Sequence, residues 1–381
     1  MRNRTTLIFA LAVLLITTAW PQLALAAGQI TPFDPPGAGT AAAQGTFPQQ
    51  NLNSGVIVGY YVDANNKSHG FIRSRHGKYT IIDIPGVAGT QAFGINDEGT
   101  VVGWGFEANG VYHGFLRDED GHFTMFDVPG AGPYIPQANS PLVILPLPLT
   151  INSSGTVAGD YVDKNNAFHG FVRSPDGHIT SFDPAGSVAT FGDTSGITRA
   201  GTIAGGYLTA DGVSHGFVRD PEGAITSFDA PDAGTTKGSG TAGETIDEAG
   251  TIPIVSVDNN GVAHAFIRYS DGTYVGFDVP GAGTGAGQGT FAYATNLEGT
   301  TAGDYTDANS VSHGFVSSRH GRITTYDVPG EGTAAGQGVV AIAQINDEGE
   351  VVGWYVDANG AYHGYIYQSE DEDGRSRQVH Q

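Results

Sequence analysis

Seven histidines stand in a nearly constant relation to a set of aspartates. His-Gly-Phe or a close variant begins at His69, His113, His169, His215, His264, His313 and His363. Six of these are followed 14 residues later by an Asp: Asp83, Asp127, Asp183, Asp229, Asp278 and Asp327. A His held by an Asp is part of a hydrolytic triad, in which the Asp fixes the tautomer and the His takes a proton from a nucleophile. No G-x-S-x-G elbow supplies that nucleophile. Catalysis needs one such site and this chain has seven. The pairs therefore read as cross-strand contacts of the framework, each contributing roughly 0.2–1 kcal/mol, and no catalytic residue is assigned.

Other residue types invite chemistry. The acidic turns Asp63-Ala64-Asn65-Asn66, Asp163-Lys164-Asn165-Asn166, Asp307-Ala308-Asn309 and Asp357-Ala358-Asn359-Gly360 offer oxygen ligands to Ca²⁺. They lack the full calcium-loop spacing, and Asp and Asn there suit Asx-turns. The expectation is no cofactor, with Ca²⁺ at these turns as the alternative. No two His stand at helical or tight strand spacing, so no His-based metal site is expected. Arg73, Arg117, Arg173, Arg219 and Arg268 follow the motif at one position, where Ser317 and Tyr367 break the series. They suit anion binding or, better, stems packed between repeats. Gly-rich linkers such as residues 280–289 lack the Gly-Lys-Ser/Thr of a phosphate loop. One position varies between repeats in a way that suits sugar binding: Tyr60, Trp104, Asp160, Asp304 and Trp354 are the candidate binding residues, against a competing reading of varied packing. Gly206 and Val255 align there in the remaining two copies.

The elements that hold these residues follow from the repeat. The His motifs are spaced 44, 56, 46, 49, 49 and 50 residues apart, and periods of this size fit four-stranded propeller blades. The sixth copy predicts strands over 291–296, 300–307, 313–317 and 322–327, separated by turns rich in Gly, Asn and Asp. A short turn centred on Asp176 sets His169 opposite Asp183 and Gly170 opposite Phe182. His169, Phe171 and Arg173 then share one face, and the aromatic ring covers the strand glycine.

His363 has no Asp 14 residues later. The missing strand lies at the other end, where Ile30-Thr31-Pro32-Phe33-Asp34 matches the Ile179–Asp183 pattern of a fourth strand. Seven Asp-ended strands and seven His motifs leave one of each unpaired, at opposite ends of the chain. Pairing His363 with Asp34 closes a ring and removes an exposed sheet edge. The predicted fold is all-β: a seven-bladed β-propeller of four antiparallel strands per blade, closed by the N-terminal strand, over residues 28–367.

The motif resembles that of the probable extracellular HAF repeat family, named for His-Ala-Phe. That tripeptide stands here as His264-Ala265-Phe266, and the other copies read His-Gly-Phe or His-Gly-Tyr. The resemblance spans nearly all of residues 28–367. It implies an extracellular or envelope location and transfers no activity or catalytic residue.

The chain has 381 residues, 58 Gly, no Cys and a formal net charge of −22. Such a surface repels nucleic acid and anionic lipid, and the fold has no disulfide to rely on. Residues 1–27 read as a signal peptide: Arg2 and Arg4, an apolar run from Leu7, and Ala24-Leu25-Ala26 as a cleavage site. No later segment reads as a membrane span. Residues 368–381 read as a polar, disordered tail. The linker 128–150 carries a proline-spaced apolar insertion suited to covering a face or docking a partner, and dispensable for the ring. The expected protein is secreted or periplasmic and monomeric, a non-catalytic binding module for an extracellular glycan or protein. The alternative is a polysaccharide-active hydrolase or lyase on the same framework.

Overall fold

A computed structural model of the chain describes residues 28–133, 147–191 and 196–368. The expected signal peptide, the middle of the 128–150 insertion and the polar tail from residue 369 lie outside the described residues. Among the described residues there are 28 strands and no helix, so no helix there is long and apolar enough to cross a membrane.

We number the repeats one to seven by their His motifs. Repeat six shows the unit: Gly289–Thr295, Thr301–Thr306, Ser312–Ser317 and Ile323–Tyr326. Consecutive strands pair antiparallel, with Tyr305 opposite His313 and Gly314 opposite Tyr326. Val, Ile, Thr, Tyr and Phe fill these strands because branched and aromatic side chains pack well on a pleated surface. Second strands such as Ile57–Val62 are buried along their whole length, and fourth strands such as Tyr79–Ile82 are partly exposed. The repeat is thus graded from a sandwiched interior strand to an open outer one.

Neighbouring repeats meet where a third strand touches the next first strand through a single parallel bridge. Ser214 meets Gly240, Ala263 meets Gly289, Ser312 meets Gly338, and Tyr362 meets Gly45. Glycine is required at Gly289: its φ is 122°, and a Cβ would lie 2.1 Å from the Ala263 carbonyl oxygen. These bridges join separate four-stranded meanders into a larger 20-stranded assembly.

The N-terminal strand Gln29–Phe33 pairs antiparallel with the last strand, Tyr362–Gln368, setting Ile30 opposite Tyr367 and Phe33 opposite Gly364. At the far end of the repeats, the turns after the first strands bond to one another. Asn96 Nδ2 donates to Asn152 O at 3.2 Å, and Asn152 Nδ2 donates to Thr198 O at 3.0 Å. Asn296 Nδ2 donates to Asn346 O at 2.9 Å, and Asn346 Nδ2 donates across 294 residues to Leu52 O at 3.0 Å. Asn53, Asp97, Ser153, Arg199, Glu248, Leu297 and Asp347, one from each repeat, line a single cavity of about 230 Å³.

The 128–150 insertion, expected to be dispensable for the ring, is anchored at both of its described ends. Its described ends, Val128, Leu147 and Leu149, are buried, and the Trp104 indole donates to Leu147 O at 2.8 Å.

Candidate functional site

All seven His–Asp pairs form. The His Nδ1 to carboxylate distance runs from 2.6 Å at His113–Asp127 and His313–Asp327 to 3.1 Å at His264–Asp278. His69–Asp83, His169–Asp183, His215–Asp229 and His363–Asp34 fall between. Opposite each of five rings stands a tyrosine on the second strand. Tyr61, Tyr161, Tyr207, Tyr305 and Tyr355 lie 4.9 to 5.3 Å from their His rings. In five repeats a second carboxylate faces Nε2, as with Asp63 at 3.6 Å and Glu107 at 3.5 Å. The Asp127 hydrogen bond raises the His113 pKa, and the Asp34 hydrogen bond raises that of His363.

Among the described residues, the nearest approach to a triad is in repeat four. Thr209 Oγ1 lies 3.4 Å from His215 Nε2, whose Nδ1 lies 2.9 Å from Asp229. The Thr209 hydroxyl, however, donates at 2.6 Å to Asp211. Its proton is committed to a carboxylate inside the turn, so the imidazole is not placed to activate it. The acidic turns use their carboxylates internally. Asp63 Oδ1 accepts the N–H groups of Asn65 and Lys67, and Asp163, Asp307 and Asp357 repeat the pattern.

Of the five sugar-binding candidates, Tyr60, Trp104, Asp160 and Asp304 are at most 3% exposed, and Trp354 is half-buried. They sit on the sandwiched second strand, where their side chains fill space between repeats. Tyr60 stacks on Phe47 at 5.0 Å, and Trp104 packs against Tyr112, Phe126 and Phe171. Burial pushes the Asp304 carboxyl up to about 8, and its Oδ1 has no hydrogen-bond partner.

The Arg series plugs the junctions between repeats. Arg73 lies over Phe33, Arg173 over Phe126, Arg219 over Phe182 and Arg268 over Phe228, at 4.8 to 5.3 Å. Each guanidinium covers the fourth-strand aromatic of the preceding repeat. In repeat seven Tyr367 takes the Arg position and stacks on Tyr326 at 4.0 Å. In repeat six Ser317 takes it, and Phe277 is left without a plug. The turn bond is also changed at this junction, because Asp247 stands where repeats two, three, six and seven have Asn and has no N–H to donate.

The result is a groove of about 350 Å³ between repeats five and six. Phe277, Tyr269 and Val275 form one wall, and Ser317, Ser318 and Arg319 the other. Tyr269 is 41% exposed and Val275 52%. Asp247, Leu297 and Glu298 close the end nearest the central cavity, which shares Asp247 and Leu297. Burial, with a smaller push from Asp347, raises the Asp247 pKa. The break at Ser317 is visible in the sequence. That Ser317 and Asp247 share one junction is not, since they belong to different repeats.

No protein-family model matches the chain, and no curated protein matches it in sequence, so the HAF resemblance rests on the motifs alone. Among solved structures it is similar to the BP39L lectin from Burkholderia pseudomallei, at 10% identity and a TM-score of 0.52, over 91% of this chain and 97% of the lectin. The fold is that of a β-propeller. The propeller is also similar to a prolyl endopeptidase (12% identity, TM-score 0.52, 90% of this chain and 50% of that one) and a puromycin hydrolase (11%, 0.51, 91% and 53%). This chain spans about half the length of either enzyme.

Proposed function

We propose that the chain is a closed seven-bladed propeller, exported from the cell, that binds a glycan in the groove between repeats five and six without chemistry. Closure is supported by the pairing of Gln29–Phe33 with Tyr362–Gln368 and by the turn bond from Asn346 to Leu52. A non-catalytic role is supported by seven equivalent His–Asp pairs and by the sequestered Thr209 hydroxyl. Export is supported by the leader-like residues 1–27 and by the repeat-family resemblance.

The observation that carries the binding assignment is the unplugged junction at Ser317. At five other junctions an Arg or Tyr fills this space; here a cavity in the size range of small-molecule sites, roughly 300–1,000 Å³, stays open. An exposed Tyr269 ring beside hydroxyl, carboxylate and guanidinium groups suits a sugar, whose ring face stacks while its hydroxyls hydrogen-bond. That one fold neighbour is a lectin agrees with this reading, while the groove chemistry carries it.

The test is a glycan array probed with wild type and Ser317→Arg. The Arg restores the plug of the sister repeats, so the variant should fold, melt no lower than wild type and lose binding. Tyr269→Ala should weaken binding at least tenfold. Undiminished binding by Ser317→Arg would overturn the assignment, and release of cleaved glycan by wild type would point to the enzyme.

A further inference from the structure

We propose that the glycan bound between repeats five and six carries a free amine, and that Asp247 receives it. This rests on the glycan reading above and adds the class of sugar: an amino sugar that is not acetylated. The observation behind it is a missing donor. At four turns an asparagine amide, from Asn96, Asn152, Asn296 or Asn346, donates to the backbone carbonyl of the next repeat. Each receiving carbonyl also accepts the glycine N–H of its own turn, as Asn152 O does from Gly155 and Asn346 O from Gly349. The Asn296 carbonyl accepts the Gly299 N–H at 2.9 Å in the same way. The residue that should supply its second donor is Asp247, which has none.

The sister turns fix how Asp247 points. Asn96, Asn152, Asn296 and Asn346 each accept, through Oδ1, the N–H four residues on, at 2.9 Å. Asp247 Oδ1 accepts the Thr251 N–H at 2.8 Å. Its Oδ2 therefore takes the place of the sister amide nitrogen and turns towards the Asn296 carbonyl. Two acceptor oxygens face each other there, because an ionised carboxylate has no proton to give. A primary ammonium carries three N–H donors and a positive charge. It can bond both oxygens at once, and its bond to the carboxylate is of the strong, charge-assisted kind.

The surroundings favour a cation at this end of the groove. Glu298 lines it beside Asp247, and Glu248 and Asp347 stand in the adjoining central cavity, which shares Asp247, Thr295 and Leu297 with the groove. Arg319 stands on the opposite wall, with its Nε bonded to His320 Nε2 at 3.1 Å. Arg199 lies in the central cavity and donates to Ser153 Oγ at 3.2 Å. The Asp247 turn packs directly on the turn that follows Tyr269: a Cβ on Gly250 would lie 3.0 Å from Ser270 Cβ. A sugar stacked on Tyr269 thus has its substituents within reach of Asp247. Acetylation would replace the cation by a neutral amide and add bulk at the closed end.

The test is an array of short glycans, each in free-amine, N-acetyl and hydroxyl forms, followed by titration calorimetry on the best-bound set. Both are run at about 150 mM salt, so that distant charges on this acidic chain are screened. Wild type should bind the free-amine form at least tenfold more tightly than the other two. Asp247→Asn supplies the sister amide, so it should melt no lower than wild type, and its three affinities should fall within about threefold of one another. Equal binding of the three forms by wild type would overturn the amine while leaving the glycan groove standing, and would point to a proton on Asp247 as the bridge to Asn296. A preference kept by Asp247→Asn would also overturn it. Displacement of the amino sugar by an equal concentration of a lysine dipeptide would assign the amine to a protein side chain and overturn the sugar. Binding of no glycan in any form would overturn the glycan reading, and this inference with it.

Discussion

Asp304 is the most exposed to test of the buried groups, because its cost can be worked out and its cure is isosteric. The carboxyl is 3% exposed, its Oδ1 lacks a partner, and a hydrogen bond from Tyr293 only partly offsets the burial. Its folded pKa is about 8 against an ordinary value of 3.8. The folded state therefore holds the proton more tightly than the unfolded chain. Any stability tied to that proton is fully present below pH 3.8 and is lost as pH rises towards 8. Each pH unit in that window costs about 1.4 kcal/mol, so the loss by pH 7, over roughly three units, is at most about 4–4.5 kcal/mol. Asp304→Asn has nothing to ionise. Denaturant unfolding of both proteins across the window should show the variant gaining on wild type as pH rises, by at least about 1 kcal/mol between pH 5 and pH 8. Glu331, Asp247 and Glu350, whose pKa values are also raised, act on both proteins and cancel in the difference. Parallel pH profiles would refute the reasoning.

Deleting residues 28–36 should lower stability by several kcal/mol, since it uncovers Tyr365 and Tyr367 and removes Phe33, whereas deleting residues from 369 onward should change it little; equal effects in thermal melts would remove the support for closure. His363→Gln should destabilise more at about pH 5.5 than at about pH 9, because Asp34 raises the folded His363 pKa above 6.5 and the stabilisation is lost as pH rises through that folded value; unfolding at the two pH values measures it. Leu147→Ala should cost about 2–4 kcal/mol, while removal of residues 134–146 should leave a folded, soluble protein by circular dichroism.

The hairpin that carries the His–Asp pair was legible in the sequence because no repeat inserts a residue within it. The aromatic cover of the strand glycine was legible for the same reason: a Cβ on Gly170 would come 2.4 Å from the Phe182 ring. The burial of Tyr60, Trp104, Asp160 and Asp304 was not. Alternation tells which residues share a face of a strand, but not that neighbouring repeats cover both faces of the second strand. An aromatic or acidic residue there looks the same in sequence as one at a binding surface. Leu147 was misread for a related reason, since a proline-spaced apolar run gives no period to show where the core resumes.

The departures gather in one sector. Ser317, Asp304 and Glu331 all belong to repeat six, and Asp247 faces it from repeat five. A repeat fold tolerates this because its stability is a sum over units and neighbour contacts. Four Arg plugs and one Tyr stack remain at other junctions, and seven His–Asp pairs are intact. Losing the plug at one junction removes a cation–π contact of about 0.5–2 kcal/mol, and burying one ionisable carboxylate costs a few more. Neither is large against the apolar burial of the other repeats, so a single sector is free to trade stability for an open groove and a carboxylate cluster. On this argument, restoring the consensus at Ser317 or Glu331 should stabilise the fold or leave it unchanged, while replacing Arg219 with Ser should destabilise it without creating a glycan site, because Asn152 and Ser174 stand at that junction where Asp247 and Tyr269 line the groove at Ser317.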